Sequence, residues 1–353
     1  MRRDPTPQAR PKPSPVTELA AGWYVALPSA SLTKPRALDL FGRELVAWRD
    51  GGGRAVVMPR YCPHLSASLA LGKVVDGHLR CRFHHWRFDG AGTCTRVPGA
   101  RRIPETAHRR TYPVIERYGF VWAWYGGDEP MYPLPDFPAL ESQRDRYATY
   151  RFSHTTPASP RRVLENAFDF SHFMTLHGVK SPQSLSLTML TDPGAAAENG
   201  PPIDAEVWAG ARLASRELQL PRVLTALGME GKSFALLVDG WTGGQRLTFF
   251  LDGKVVAKEL LGITPVSRGR TVFQGWSLVR RSGRVWRDAP TYLAYRAQHL
   301  LGTREDLMIY RHAQETHSGV PVKDDHGVLK FRKLYQRWVE RARCAEHDGT
   351  ART

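Results

Sequence analysis

Residues 61–86 read YCPHLSASLALGKVVDGHLRCRFHHW. Two Cys/His pairs, Cys62-Pro63-His64 and Cys81-Arg82-Phe83-His84, are separated by 16 residues. Two thiolates and two neutral imidazoles suffice for tetrahedral zinc, or for a two-iron cluster with thiolates on one iron and imidazoles on the other. Zinc is usually gripped by C-x(2-4)-C knuckles, whereas C-x-H facing C-x-x-H suits two loops that clasp a cluster from opposite sides. Around these loops the chain is short-period and strand-like: GWYVAL (22–27), ALDLFGRELVAW (37–48), AVVMPRY (55–61), HLRCRFHHWRFD (78–89) and YPVIERYGFVWAWY (112–125). LFGREL and DGGGRA carry turn chemistry between β-branched and aromatic runs, which predicts successive hairpins in a small antiparallel β-domain over 20–130.

Beyond it, DEPMYPLPDFP (128–138) disfavours both helix and central strand and is expected to link two domains, the second covering 131–353. In the second part PRRVLENAFDFSHFMTLHG (160–178) reads as one helix, with Val163, Phe170 and Phe173 among its apolar positions and Gly178 as its stop. Strands are expected at SFALLVDGW, QRLTFFLDG, VVAKELLGITPV and TVFQGWSLV, and helices at 291–314 and 329–344. Strands with helices grouped at the ends indicate an α+β architecture. No Gly-rich phosphate loop of either common pattern is present.

A chain of 353 residues is long enough for about two domains. With 42% hydrophobic and 24% charged residues it fits neither a disordered protein nor a coiled coil. No run of 18 or more apolar residues is present, so a spanning helix is not expected. Five prolines between residues 5 and 15, with no apolar run after Arg2 and Arg3, make residues 1–19 a flexible arm rather than a signal. The four cysteines are too few for a disulfide scaffold and point to a reducing, cytoplasmic setting; Cys94 and Cys344 read as ordinary free thiols. The net charge of +16 favours anionic partners.

A second constellation lies in the expected helix, where Asn166, Asp169, His172 and His177 form N-x-x-D-x-x-H-x(4)-H. A non-haem Fe(II) site needs two His and one carboxylate on one side of the metal, so His172 and His177 need a carboxylate from elsewhere. Glu305 and Asp306, adjacent in TREDLMIYRH (303–312), are the candidates.

The C-x-H/C-x-x-H spacing, followed by Trp86, Asp89 and Gly92, resembles the Rieske family. Together with the second constellation it resembles the Rieske non-haem iron oxygenases, closest to their arylamine N-oxygenases. The resemblance is carried by WYVAL, LFGRELVAWR, residues 53–89, ERYGFVWAWYG and VLENAFDFSHFMTLH. It implies a Rieske [2Fe-2S] domain followed by a helix-grip, START-like catalytic domain, with Cys62 and Cys81 on one iron of the cluster and His64 and His84 on the other. It makes Asp306, followed by Ile309 and Tyr310, the third ligand of a mononuclear Fe(II) beside His172 and His177, with Glu305 as runner-up. It implies that Asp169 hydrogen-bonds a ligand histidine and a cluster histidine of a neighbouring subunit, and that Asn166 lies near the iron without binding it. His85 stands where most of the family has Gly. The implied activity is O2-dependent oxidation of an aromatic, arylamine-bearing secondary metabolite to a nitro product. C-H hydroxylation or oxidative cyclisation of an apolar natural product is the alternative. Electrons from NAD(P)H would arrive through a ferredoxin or flavoprotein reductase, and the oligomer would be a trimer. Neither nucleic acid nor a membrane is expected as a partner, although an electron-transfer or zinc-dependent nucleic-acid-binding protein is the reading from another class. Lys and Arg number 20 over positions 1–130 against 11 Asp and Glu, attractive to an acidic reductase.

Overall fold

The computed structural model describes residues 16, 18–169, 171–177, 185–216, 233–315 and 319–350. The arm expected over 1–19 lies almost wholly outside the described residues, as do Phe170 and Gly178.

In the N-terminal part β1 (Gly22–Pro28) pairs with β10 (Phe120–Tyr125), and β10 with β9 (Val114–Arg117). A second sheet holds β2 (Arg36–Leu40), β3 (Arg43–Arg49) and β4 (Ala55–Pro59). A third runs β5 (Lys73–Val75), β6 (His78–Arg80), β7 (Arg87–Phe88) and β8 (Cys94–Arg96). All these pairings are antiparallel. The tight hairpins have one sequence signature: Phe41-Gly42, Asp76-Gly77 and Tyr118-Gly119 each place both residues at positive φ, as a two-residue type I′ turn requires.

The second part is dominated by an antiparallel seven-stranded sheet in the order β11 (Tyr147–Thr156), β17 (Arg270–Arg280), β16 (Lys254–Ser267), β15 (Gly244–Leu251), β14 (Phe234–Trp241), β13 (Ala209–Ser215), β12 (Ser186–Met189). Two long helices follow, α3 (Val285–His312), which lies against β11 and β17, and α4 (His326–Thr350). Sheet and grouped helices make the α+β, helix-grip arrangement. No described helix is long and apolar enough to cross a membrane.

The expected single helix over 160–178 is corrected by the structure. It consists of α1 (Pro160–Glu165), a 3-10 turn (Asn166–Phe168), a break and α2 (Ser171–Thr175). Asp169 causes the break: its backbone is extended, and its Oδ1 accepts from the Ser171 amide at 3.0 Å and the His172 amide at 3.4 Å. A short carboxylate that captures the first free amides starts a new helix more effectively than it continues an old one.

Two hydrophobic cores result. The larger one joins β1, β9 and β10 to the big sheet and α4, with Trp122, Trp124 and Trp241 at most 1% exposed. At about 25 cal/mol per Å² and roughly 150–250 Å² each, such side chains contribute several kcal/mol apiece. The smaller core holds Trp48, Met58, Leu69, Leu79 and Phe88 around Cys62 and Cys81. Strand β3 divides them: Leu45 and Ala47 face the larger core, Val46 and Trp48 the smaller, as the two-residue period of a strand dictates. The Pro-rich segment 128–138 has no regular structure before Pro138, but Tyr132, Leu134 and Phe137 are buried in the larger core. Trp23 Nε1 donates to the Tyr132 carbonyl at 2.9 Å, and Thr264 Oγ1 to that of Val25 at 2.9 Å.

Candidate metal centres and the cavity between them and the sheet

The Cys62 and Cys81 loops leave β4 and β6 and face each other. Cys62 and Cys81 are each 2% exposed, while His64 is exposed and His84 half-buried. The two imidazoles lie 4.6 Å apart between ring centroids, and Trp86 stacks on His64 at 4.7 Å and 8°. Each loop closes on its own backbone: Cys62 N donates to Ala67 O at 2.9 Å, Cys81 N to Trp86 O at 2.8 Å. Burial, with the neighbouring Cys81, pushes the Cys62 thiol up to about 12. In such an apolar pocket the thiolate form would be held only by a metal taking the place of the proton. Four converging soft and borderline donors, two dry and two at the surface, fit a [2Fe-2S] cluster with an outward histidine edge.

His85 sits at φ +59°, the left-handed region that favours glycine. A glycine would hold this backbone without that strain. His85→Gly is expected to raise the stability of the chain by about 0.5–1 kcal/mol. The thermal midpoint checks it; a lowered midpoint would mean that the imidazole makes contacts which outweigh the strain.

The second centre is assembled from three elements. One ligand atom each from His172, His177 and Asp306 lies within 4.8 Å of the other two, and the three side chains are half-buried. His172 Nδ1 donates to the Asp169 carbonyl. His177 Nδ1 is 2.8 Å from Glu305 Oε2. A carbonyl or carboxylate can only accept, so in each ring Nδ1 carries the proton and Nε2 is free to bind a metal. Asp306 Oδ1 lies 3.3 Å from His177 Nε2 and 3.3 Å from Asn166 Nδ2, which is also 3.3 Å from His172 Nε2. Two neutral imidazoles and one carboxylate converging from one side fit Fe(II) with open positions opposite.

Asp169 therefore reaches a candidate ligand through its backbone. The expected contact to a histidine of this site runs from the carbonyl, and the carboxylate caps α2 instead. Glu305, weighed in the sequence as a ligand, holds the far nitrogen of His177.

Burial lowers the His172 pKa, partly offset by Asp306. Burial also pulls on His177, but hydrogen bonds and charge from Asp306 and Glu305 more than offset it, and its pKa is raised above 6.5. Fe(II) takes only the neutral ring, so binding expels a proton wherever His177 is charged. The affinity of metal-stripped protein for Fe(II) is then expected to climb by up to about tenfold per pH unit below that raised pKa and to level off above it. Titration between pH 6 and 8 checks this, and a flat profile would contradict it.

A cavity of about 310 Å³ opens from this centre toward the big sheet. Its walls are mostly apolar, with Phe152, Leu236, Leu247, Phe249, Leu261 and Phe273 among them. One wall is a face of α3, where Tyr295, His299, Gly302, Thr303, Asp306 and Tyr310 recur at helical spacing. Polar Glu259, Tyr295 and His299 also line it, and sequence reasoning missed all three. The available signal was a charged residue inside an apolar strand, in VVAKELLGITPV.

Two candidate donor sets, one on a β-rich part and one on a helix-grip part, are the arrangement a two-centre oxygenase needs, and comparisons with known proteins supply the family. A family profile for the Rieske [2Fe-2S] domain matches residues 22–112. Aminopyrrolnitrin oxygenase PrnD of Pseudomonas fluorescens is 36% identical over 341 residues, 92% of this chain and 93% of that protein. The oxygenase component of 3-ketosteroid-9-alpha-monooxygenase of Rhodococcus rhodochrous is 30% identical over 167 residues, 46% of this chain and 44% of that one. Among solved structures, dicamba monooxygenase bound to dicamba superposes with a TM-score of 0.67 at 17% identity, covering 90% of this chain and 97% of that one. NdmB of Pseudomonas putida CBB5 superposes with a TM-score of 0.70 at 17% identity, covering 92% and 94%. The chain belongs to the Rieske non-haem iron oxygenases. With that membership come a [2Fe-2S] cluster, a mononuclear iron, a small-molecule substrate, O2 and electrons from a reductase or ferredoxin.

Proposed function

We propose that the chain N-oxygenates an arylamine intermediate of secondary metabolism, carrying the amino group to nitro. The observation that carries this reading is the kinship with PrnD along nearly the whole chain, combined with an apolar, aromatic-walled cavity beside His172, His177 and Asp306. We assign the cluster to Cys62, His64, Cys81 and His84 in a domain spanning 20–130, and the iron to His172, His177 and Asp306 in a domain spanning 131–353. When bound, the cluster supplies electrons singly and the ferrous ion is where dioxygen is reduced. The chain's own residues do the rest. Glu305 and the Asp169 carbonyl fix the two imidazoles, Asn166 donates to Asp306, and the apolar walls exclude bulk water and orient an aromatic ring.

NAD(P)H electrons would reach the cluster through a cytoplasmic ferredoxin or flavoprotein reductase, and the net positive charge of the N-terminal domain would favour an acidic one. Leu65 and Phe83, 60% and 59% exposed beside His64 and His84, suit apposition of a protein partner, whether reductase or a neighbouring subunit of a cyclic trimer. Turnover of a candidate arylamine under labelled dioxygen tests the assignment: labelled oxygen on nitrogen is expected, and its absence would sink it. C-H hydroxylation or oxidative cyclisation is the second reading, favoured by the apolar walls and by the partial kinship with a steroid monooxygenase. Its mark is oxygen on carbon, or loss of hydrogen without oxygen gain.

A further inference from the structure

The cavity has one carboxylate that the iron site does not use. Glu259 is 3% exposed and sits on β16 between Leu247 of β15 and Ser277 of β17 in register, so all three share the cavity face of the sheet. Its Oε1 accepts from Ser277 Oγ at 3.0 Å and Tyr295 OH at 3.0 Å, and His299 Nε2 stands 3.6 Å away. No donor among the described residues meets Oε2, although Glu259 lines the cavity. A carboxylate deep in an apolar space costs free energy unless its second oxygen finds a donor too.

Helix α3 gives the distance from this carboxylate to the oxidising end. His299 and Tyr295 precede Asp306 by seven and eleven residues on one face, a rise of roughly 10 and 16 Å. Glu259 touches both, so it stands about two to three helical turns from the His172, His177 and Asp306 set, at the other end of the same cavity.

We infer that Glu259 is a specificity-determining residue that recognises an N-H donor, above all an amino group, carried by the substrate at the end remote from the atom that is oxidised. The inference rests on reading His172, His177 and Asp306 as the oxidising end. It does not depend on whether nitrogen or carbon is oxidised there. Oε1, already held by two hydroxyls, keeps the carboxylate oriented, and Oε2 is left for the ligand. A substrate carrying an anion at that end is repelled, and one that is apolar throughout leaves Oε2 unpaired.

The test uses the complete, iron-loaded protein without dioxygen and two probes of similar shape, 4-phenylbenzylamine and 4-ethylbiphenyl, with affinities measured by calorimetry. Wild type is expected to prefer the amine by at least about tenfold, the contribution of one charge-assisted hydrogen bond. Glu259→Gln is expected to weaken the amine by about tenfold while leaving 4-ethylbiphenyl within about twofold. Equal affinities in wild type, or a preference that survives in Glu259→Gln, would overturn the inference. Should the variant fail to fold, as judged by loss of its thermal transition, equal affinities of the wild type for the two probes still overturn the inference. An amine preference in a protein that puts no oxygen on nitrogen would retain the anchor and discard N-oxygenation, so the two failures are distinguishable.

Discussion

Asp306→Ala is expected to keep the visible absorption of the cluster, to hold about two irons per chain in place of about three, and to lose turnover. The carboxylate is the only anionic member of the His172, His177 and Asp306 set. Without it two neutral imidazoles remain, an incomplete grip on a divalent cation. The cluster loops do not depend on α3, because Cys62 and Cys81 pack in the smaller core with Trp48, Met58 and Leu79. Glu305→Gln is the contrast. It leaves all three proposed ligands and removes only the charged acceptor on His177 Nδ1, so Fe(II) affinity is expected to fall about 10–100-fold with turnover restored at saturating iron. Iron and sulfide quantification beside the absorption spectrum separates the outcomes. An Asp306→Ala protein that still carries about three irons would remove Asp306 from the ligand set.

Arg246→Met is expected to cost about 3–5 kcal/mol of stability, a large share of the roughly 5–15 kcal/mol that holds a typical domain. Arg246 and Asp239 are an ion pair with both side chains 0% exposed, joining β15 to β14. The guanidinium also donates to the carbonyls of Asp136 and Pro201, and Asp239 accepts from Asn199 Nδ2 at 2.8 Å and Trp208 Nε1 at 3.3 Å. Removing the arginine leaves a buried carboxylate facing neutral donors alone. Urea unfolding monitored at constant slope measures the loss. The double variant Arg246→Met/Asp239→Leu is expected to recover much of it, since no charge is then stranded. A single variant with an unchanged midpoint would show that water reaches the site.

The local features of the fold and of the candidate site were legible, and the long-range ones were not. Strands such as Gly22–Pro28 and Phe120–Tyr125 follow from β-branched and aromatic runs between X-Gly turns, which a short window contains. The four Cys and His of the first constellation and both His of the second stand in spacings that a reader can count. Asp169 was misplaced because helical periodicity and the N-cap preference of Asp compete at one residue, and periodicity supported a continuous helix. Glu305 and Asp306 are neighbours in sequence, and only the rotation of α3 separates their roles: Oδ1 of Asp306 points at Nε2 of His177, Oε2 of Glu305 at Nδ1. Glu259 stood out only as a charge inside an apolar strand, and its place in the cavity was hidden because its neighbours are distant along the chain, Ser277 on the next strand and Tyr295 and His299 on a helix beyond it.

Strand β3 lends alternate side chains to two cores, and the Pro-rich stretch is sunk in the larger one. Chimeras that exchange electron-accepting halves between relatives are therefore ill served by a junction at those prolines, which would sever Trp122 and Trp124 from the scaffold that buries them. Breakpoints belong at the rim of the smaller core, where a swapped segment carries its metal loops and leaves the party wall standing.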